Sequence, residues 1–172
     1  MCRILVIGCP GNGKTTFSKQ LAKQLEIPLF HLDKIYWKSG WQEKSKEEFD
    51  AELSEILKTD KWIIDGNYSR TIPRRLEYAD IVYFMDYPTR TCLWRVFKRV
   101  ITRHGESRSD MGENCPERFD MEFMKYVWNF RKEQRPKLIR MLKESGVKNI
   151  RIISNNRQRE DELRMMVRPL WI

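Results

Sequence analysis

The sequence is short of the features that would take it out of the ordinary globular class. No apolar run approaches the roughly 18 residues that a membrane-spanning helix needs. The four cysteines, Cys2, Cys9, Cys92 and Cys115, include no C-x-x-C pair. Their spacing suits neither a disulfide framework nor a zinc site, so free thiols are expected. Two histidines, His31 and His104, are too isolated in sequence to suggest a metal centre. Repeats, low-complexity tracts and linker-like stretches are missing as well. The chain enters an apolar stretch at once, Met1-Cys2-Arg3-Ile4-Leu5-Val6-Ile7, without the length or cleavage site of a signal peptide. A cytoplasmic location and no membrane partner are the expectation.

Charge, by contrast, is plentiful. A third of the 172 residues are charged and the formal net charge is +9. Up to residue 89 the two signs balance, so all of the positive excess lies in the remainder. A basic surface binds nucleic acid and a basic pocket neutralises phosphates; composition alone leaves both open.

Apolar runs and helical spacings alternate along the chain. Ile4–Ile7 reads as a buried strand, and Phe17, Leu21 and Leu25 mark a helix after it. Leu29–Leu32 reads as a second strand, ahead of a capping box at Ser45 and Glu48. Phe49, Leu53, Ile56 and Leu57 then line one helical face. Trp62–Ile64, Ile81–Met85 and Ile150–Ile153 supply three more strands. Thr89 is placed as the cap of a helix with an apolar face of Leu93, Val96, Phe97, Val100 and Ile101. From His104 to Pro116 periodicity fades, and residues about 102–118 read as a lid. A long helical region follows, with Pro136 as a kink or restart, and a last helix covers 158–167. Strands alternating with helices predict one α/β domain over 1–172: three layers, α/β/α, around a five-stranded parallel sheet with a helical lid.

Gly8-Cys9-Pro10-Gly11-Asn12-Gly13-Lys14-Thr15 matches G-x-x-x-x-G-K-[ST] between a strand and a helix, the setting of a phosphate-binding P-loop. Glycines let the loop wrap tightly so that successive N–H groups converge on phosphate oxygens. The helix start adds its own unpaired N–H groups. Gly8, Pro10, Gly11, Asn12, Gly13, Lys14, Thr15 and Thr16 are therefore the candidate contacts for ATP. Lys14 is the charge on the β- and γ-phosphates, and the Thr15 hydroxyl is a ligand for Mg²⁺.

Ligands of open parallel sheets bind beyond the carboxyl ends of the strands. Asp65 falls there and suits Mg²⁺ or the substrate; Asp33 suits the acceptor, as a base or an orienting group. Capping a turn is the alternative for each, and Asp86 reads as structural. Arg95, Arg99 and Arg103 lie four apart on a helix that leads to Arg108 in the lid, a stripe able to neutralise phosphoryl-transfer charge. A solvated helix face is the plainer reading of the same stripe. Trp37 and Trp41 fit ring stacking and core packing equally well.

The pattern resembles adenylate kinase and its relatives. Asp65-Gly66-Asn67-Tyr68-Ser69-Arg70 stands where those kinases carry an Asp-Gly-Phe-Pro-Arg-like stretch, making Arg70 a candidate for substrate binding. Ala79–Asp86 is similar to their fourth strand, and Arg103–Asp110 to their lid entry. The resemblance implies a P-loop kinase-like fold, a mobile lid and phosphoryl transfer from ATP. Over nearly the whole chain, His31-Leu32-Asp33, Trp37, Gly40-Trp41, Cys115–Asp120 and Trp128-Asn129-Phe130 resemble the bacterial DNA topology modulation proteins. That name implies an effect on DNA, so a nucleotide-regulated DNA-binding protein stands as the second reading. The first is a Mg²⁺-dependent kinase for a small-molecule, nucleoside or nucleotide acceptor.

Overall fold

The computed structural model describes residues 2–106 and 110–167, for Val167 the backbone only. At its centre lies β1 (Cys2–Gly8), whose Ile4, Leu5, Val6 and Ile7 are fully buried. Near-continuous apolar runs are what a parallel sheet covered on both faces requires. On one side β1 pairs with β5 (Lys61–Asp65), and β5 with β2 (Leu29–His31). On the other it pairs with β6 (Ile81–Met85), and β6 with β7 (Asn149–Ile153). All five strands run parallel in the order β2-β5-β1-β6-β7. The register aligns Val6 with Asp65 and Gly8 with Met85, so the carboxyl ends share one edge.

From β1 the chain first crosses outward to β2 through α1 (Lys14–Leu25). It then returns through β5 and passes over β1 to β6 and β7 in the opposite direction. With right-handed crossovers this reversal puts α1 on one face of the sheet and α3 (Lys46–Lys58), α4 (Ile72–Tyr78) and α7 (Arg135–Glu144) on the other. α8 (Asn156–Val167) packs on α1, and α7 on α4. β1 thus sits at the switch point where open α/β sheets bind ligands.

Local signals account for many of the boundaries. Ser45 and Glu48 exchange both hydrogen bonds of the expected capping box at the start of α3. Pro136 restarts the chain as α7 just after α6 (Met121–Glu133). Three expectations shift. Leu32 opens a short helix, α2 (Leu32–Tyr36), because β2 ends at His31. Thr89 is the first residue of α5 (Thr89–Thr102); Pro88 holds the cap position and no side chain caps it. The buried face of α5 is Cys92, Val96 and Val100, while Phe97 and Ile101 are exposed. α5 carries two apolar stripes, and periodicity alone did not say which one meets the core. The exposed stripe, with Trp94, lies beside Trp128 of α6 over a surface groove.

The lid segment shows no helix beyond Thr102 among its described residues; the helices are its flanks, α5 and α6. His104 bridges to Glu117 across its base. A hairpin that the sequence reading did not foresee, β3 (Trp37–Lys38) with β4 (Gln42–Glu43), stands opposite. Among the described residues no helix is long and apolar enough to cross a membrane.

Candidate active site

The phosphate loop is held at two pinch points. A Cβ on Gly8 would lie 2.3 Å from the Met85 carbonyl oxygen, and one on Gly11 would lie 2.4 Å from that of Cys92. Both glycines also have positive φ. Two asparagines brace the loop. Asn67 accepts from the Gly8 N–H at 2.9 Å and donates to the Gly8 carbonyl at 2.8 Å, tying β1 to the segment after β5. Asn12 is wholly buried; its amide donates to the Met85 carbonyl at 2.7 Å and its oxygen accepts from the Lys14 N–H at 3.1 Å. The Asn12 N–H turns inward to the Cys9 carbonyl. Its side chain is therefore a strut of the loop, a different task from the phosphate contact expected of it. The Lys14 ammonium lies over the loop, 2.9 Å from the Gly8 and 3.1 Å from the Cys9 carbonyl oxygen.

Around this loop opens a cavity of 820 Å³ lined by Pro10 through Thr16, by Asp33 and Asp65, and by one face of α5. Thr15 donates to the Asp110 carboxylate at 3.0 Å, bringing a buried lid carboxylate against the helix start. Asp65, buried at the end of β5, lies 3.1 Å from the ring nitrogen Nδ1 of His31. The Thr15 hydroxyl and the Asp65 and Asp110 carboxylates all line the cavity, and they are hard oxygen donors of the kind that Mg²⁺ takes. No group of three acidic, histidine or cysteine side chains gathers as a ready cation cage among the described residues.

α5 presents its arginines to the cavity. Arg95 donates to the Asn12 carbonyl at 3.2 Å and to Asn156 at 3.0 Å, and it lies over the Tyr87 ring. Arg99 is paired with Glu117 at 2.9 Å. Arg103 also lines the cavity. Arg108 lies outside the described residues. Arg135 grips Asp86 with a bidentate pair and so belongs to the scaffold, as Asp86 does.

On the β2 side, Tyr68 donates to Asp33 at 2.9 Å. Burial, reinforced by Asp33, pushes the Tyr68 hydroxyl far above the usual phenol range, so it stays a donor. Burial likewise raises the Tyr126 hydroxyl, and the Asp33 charge adds to it. Trp37 and Trp41 meet edge to face at 5.3 Å, and Arg118 lies over Trp41. The lid rests on this hairpin: Gly40 donates to the Glu113 carbonyl and Asn114 to Ser39. A Cβ on Gly112 would lie 2.1 Å from the Trp37 carbonyl oxygen.

Arg70 is not part of this assembly. It lies outside the cavity lining and holds Asp50 of α3 in a bidentate pair at 2.7 and 2.8 Å. The arginine that organises the segment is Arg75, one turn into α4 and fully buried. It donates to the carbonyls of Gly66, Asn67 and Tyr68. Burial pulls its pKa down to about 9, still charged at neutral pH. Sequence reasoning passed over Arg75, Asn67, Tyr126 and His31. Asn67 and His31 act on residues distant in sequence, and Arg75 on carbonyls seven to nine residues before it; the one available signal was the charge of Arg75 within a helical segment.

Comparison with known proteins agrees with this geometry. Residues 4–64, well under half of the chain, match the family described as ATPase family associated with various cellular activities (AAA). Two archaeal proteins, each named "Putative adenylate kinase", are similar over 118 residues. That of Pyrococcus furiosus is 28% identical, over 64% of this chain and 60% of its own. That of Thermococcus gammatolerans is 30% identical, over 64% and 61%. The chain thus spans about three fifths of the length of the curated relatives it matches. Shikimate kinase from Acinetobacter baumannii, in complex with shikimate, superposes with a TM-score of 0.62 at 16% identity, covering 97% of this chain and 92% of that one. Shikimate kinase from Bacteroides thetaiotaomicron gives 0.57 at 16% identity, with 99% of each chain covered. The fold is that of these kinases: a five-stranded parallel sheet between helical layers, with the Gly8–Thr15 loop after its central strand.

Proposed function

We propose that the protein is an ATP- and Mg²⁺-dependent kinase that transfers the γ-phosphoryl group to a small-molecule acceptor. One observation carries the reading: Lys14 and Thr15 open into the same cavity as Asp33 and the arginines of α5. Donor-phosphate, acceptor and charge-stabilising groups thus share one enclosure.

Lys14 and the N–H groups at the start of α1 bind the β- and γ-phosphates. Mg²⁺ would be held by the Thr15 hydroxyl with Asp65 and Asp110, and it would supply charge neutralisation for the phosphate oxygens. Asp33, held by Tyr68, orients the acceptor hydroxyl and takes its proton. The hydroxyl oxygen bonds the γ-phosphorus as the bond to the β–γ bridging oxygen breaks, and ADP leaves. Arg95, Arg99 and Arg103, with Arg108 in the same lid segment, offset the charge that develops.

The test is ADP release from Mg·ATP with and without a panel of nucleosides, nucleotides and small hydroxylated metabolites. Strong stimulation by one compound, lost in Asp33→Asn, supports a kinase. No stimulation, together with duplex DNA binding that falls steeply with salt, would replace this reading with a nucleotide-regulated DNA binder. The placement of five basic residues of the C-terminal excess, Arg95, Lys98, Arg99, Arg103 and Arg118, inside the cavity favours the kinase.

A further inference from the structure

The two sides of the phosphate loop differ in charge. On the β6 side, α5 lines the cavity with Arg95, Lys98, Arg99 and Arg103. On the β2 and β5 side, the lining is carboxylate and aromatic: Asp33, Asp65, Trp37, Trp41, Tyr68 and Tyr126. A phosphorylated acceptor bound there would need cations of its own. Four of those nearby are already engaged, while Lys19 and Arg118 also line the cavity. Arg70 is clamped on Asp50, Lys38 on Glu48 and Lys44 on Glu52, all three carboxylates on α3. Arg75 is buried on main-chain carbonyls. Arg118 reaches this side with its guanidinium over the Trp41 ring and Asp120 also in the lining. A dianionic phosphate beside Asp33 and Asp65 would meet like charge.

Other features suit an uncharged ring. Trp37 and Trp41 offer faces and edges for stacking. Tyr68 fixes one Asp33 oxygen, which leaves the carboxylate oriented for a hydroxyl.

We propose that the acceptor is an uncharged, hydroxyl-bearing ring compound, of nucleoside or cyclic polyol type, rather than a phosphorylated one. The ring lies against the Trp37–Trp41 hairpin with its reacting hydroxyl on Asp33. This rests on the kinase reading and narrows it.

The experiment pairs each neutral compound with its monophosphate: nucleosides, hexoses and cyclic polyols, each at equal concentration with Mg·ATP and the full chain. ADP release is measured alongside quenching of tryptophan fluorescence. The expected result is at least tenfold greater stimulation by a neutral member than by its monophosphate. Asp33→Asn should abolish that stimulation, and Arg70→Ala should leave it within twofold. A monophosphate that stimulates better than its neutral partner, with a KM raised in Arg70→Ala, would overturn the proposal and leave a kinase standing. Stimulation by neither member of any pair would overturn both.

Discussion

The phosphate side and the acceptor side of the cavity are built in different ways. Around the phosphate loop, short-range braces converge on backbone. Asn67 holds both polar groups of Gly8, and Asn12 ties the loop to Met85. Opposite, the acceptor side is assembled from α2, the hairpin, the segment after β5, the lid and α6, which meet through side chains and loop carbonyls. One side is a fixed cradle for a group common to many substrates. On the kinase reading, the other is where substrate choice would change without disturbing the grip on phosphate.

Substitutions should separate these two roles. The largest effect is expected from Lys14→Ala, which should lower kcat by about a hundredfold or more while leaving the fold intact by circular dichroism. Normal turnover of Mg·ATP in that variant would remove the phosphate side from the comparison. Arg75→Met leaves the Gly66 and Asn67 carbonyls without this donor and should cost about 3 kcal/mol in urea denaturation. An unchanged midpoint would mean that the segment after β5 holds its shape without Arg75.

Gly112→Ala pushes the lid off the Trp37 carbonyl and should raise the acceptor KM by about tenfold, with ATP affinity little changed. Equal effects on both ligands would show the two sides to be mechanically continuous. The smallest effect belongs to Arg70→Ala. Its exposed pair with Asp50 should be worth no more than about 0.5 kcal/mol in thermal unfolding.

What the sequence made legible follows the same division. The phosphate side depends on local order, glycines and a lysine at fixed offsets between a strand and a helix, so Gly8 through Thr15 could be read directly. Strands β5 and β6 were equally plain because fully buried runs such as Ile63-Ile64 and Val82–Met85 have no other use. The acceptor side depends on contacts between distant segments. Asp33 with Tyr68 and Gly112 with Trp37 leave no periodic trace, and neither does Asn67 with Gly8, the long-range brace of the phosphate side. Trp41 at positive φ, turning the hairpin after Gly40, was equally hidden, since an aromatic residue rarely takes that conformation. Arg70 shows the reverse error: a local resemblance drew it toward the site, while its geometry commits it to α3.

The asparagine braces also bear on how binding energy is partitioned. A loop braced by Asn12 and Asn67 has few conformations left to lose when a triphosphate arrives. The cost of ordering it falls on folding and not on association, so the loop works as a preorganised mould. Loosening it with Asn67→Ala would leave every phosphate-facing N–H in the chain and still weaken nucleotide binding, because the loop would then be ordered at the expense of association.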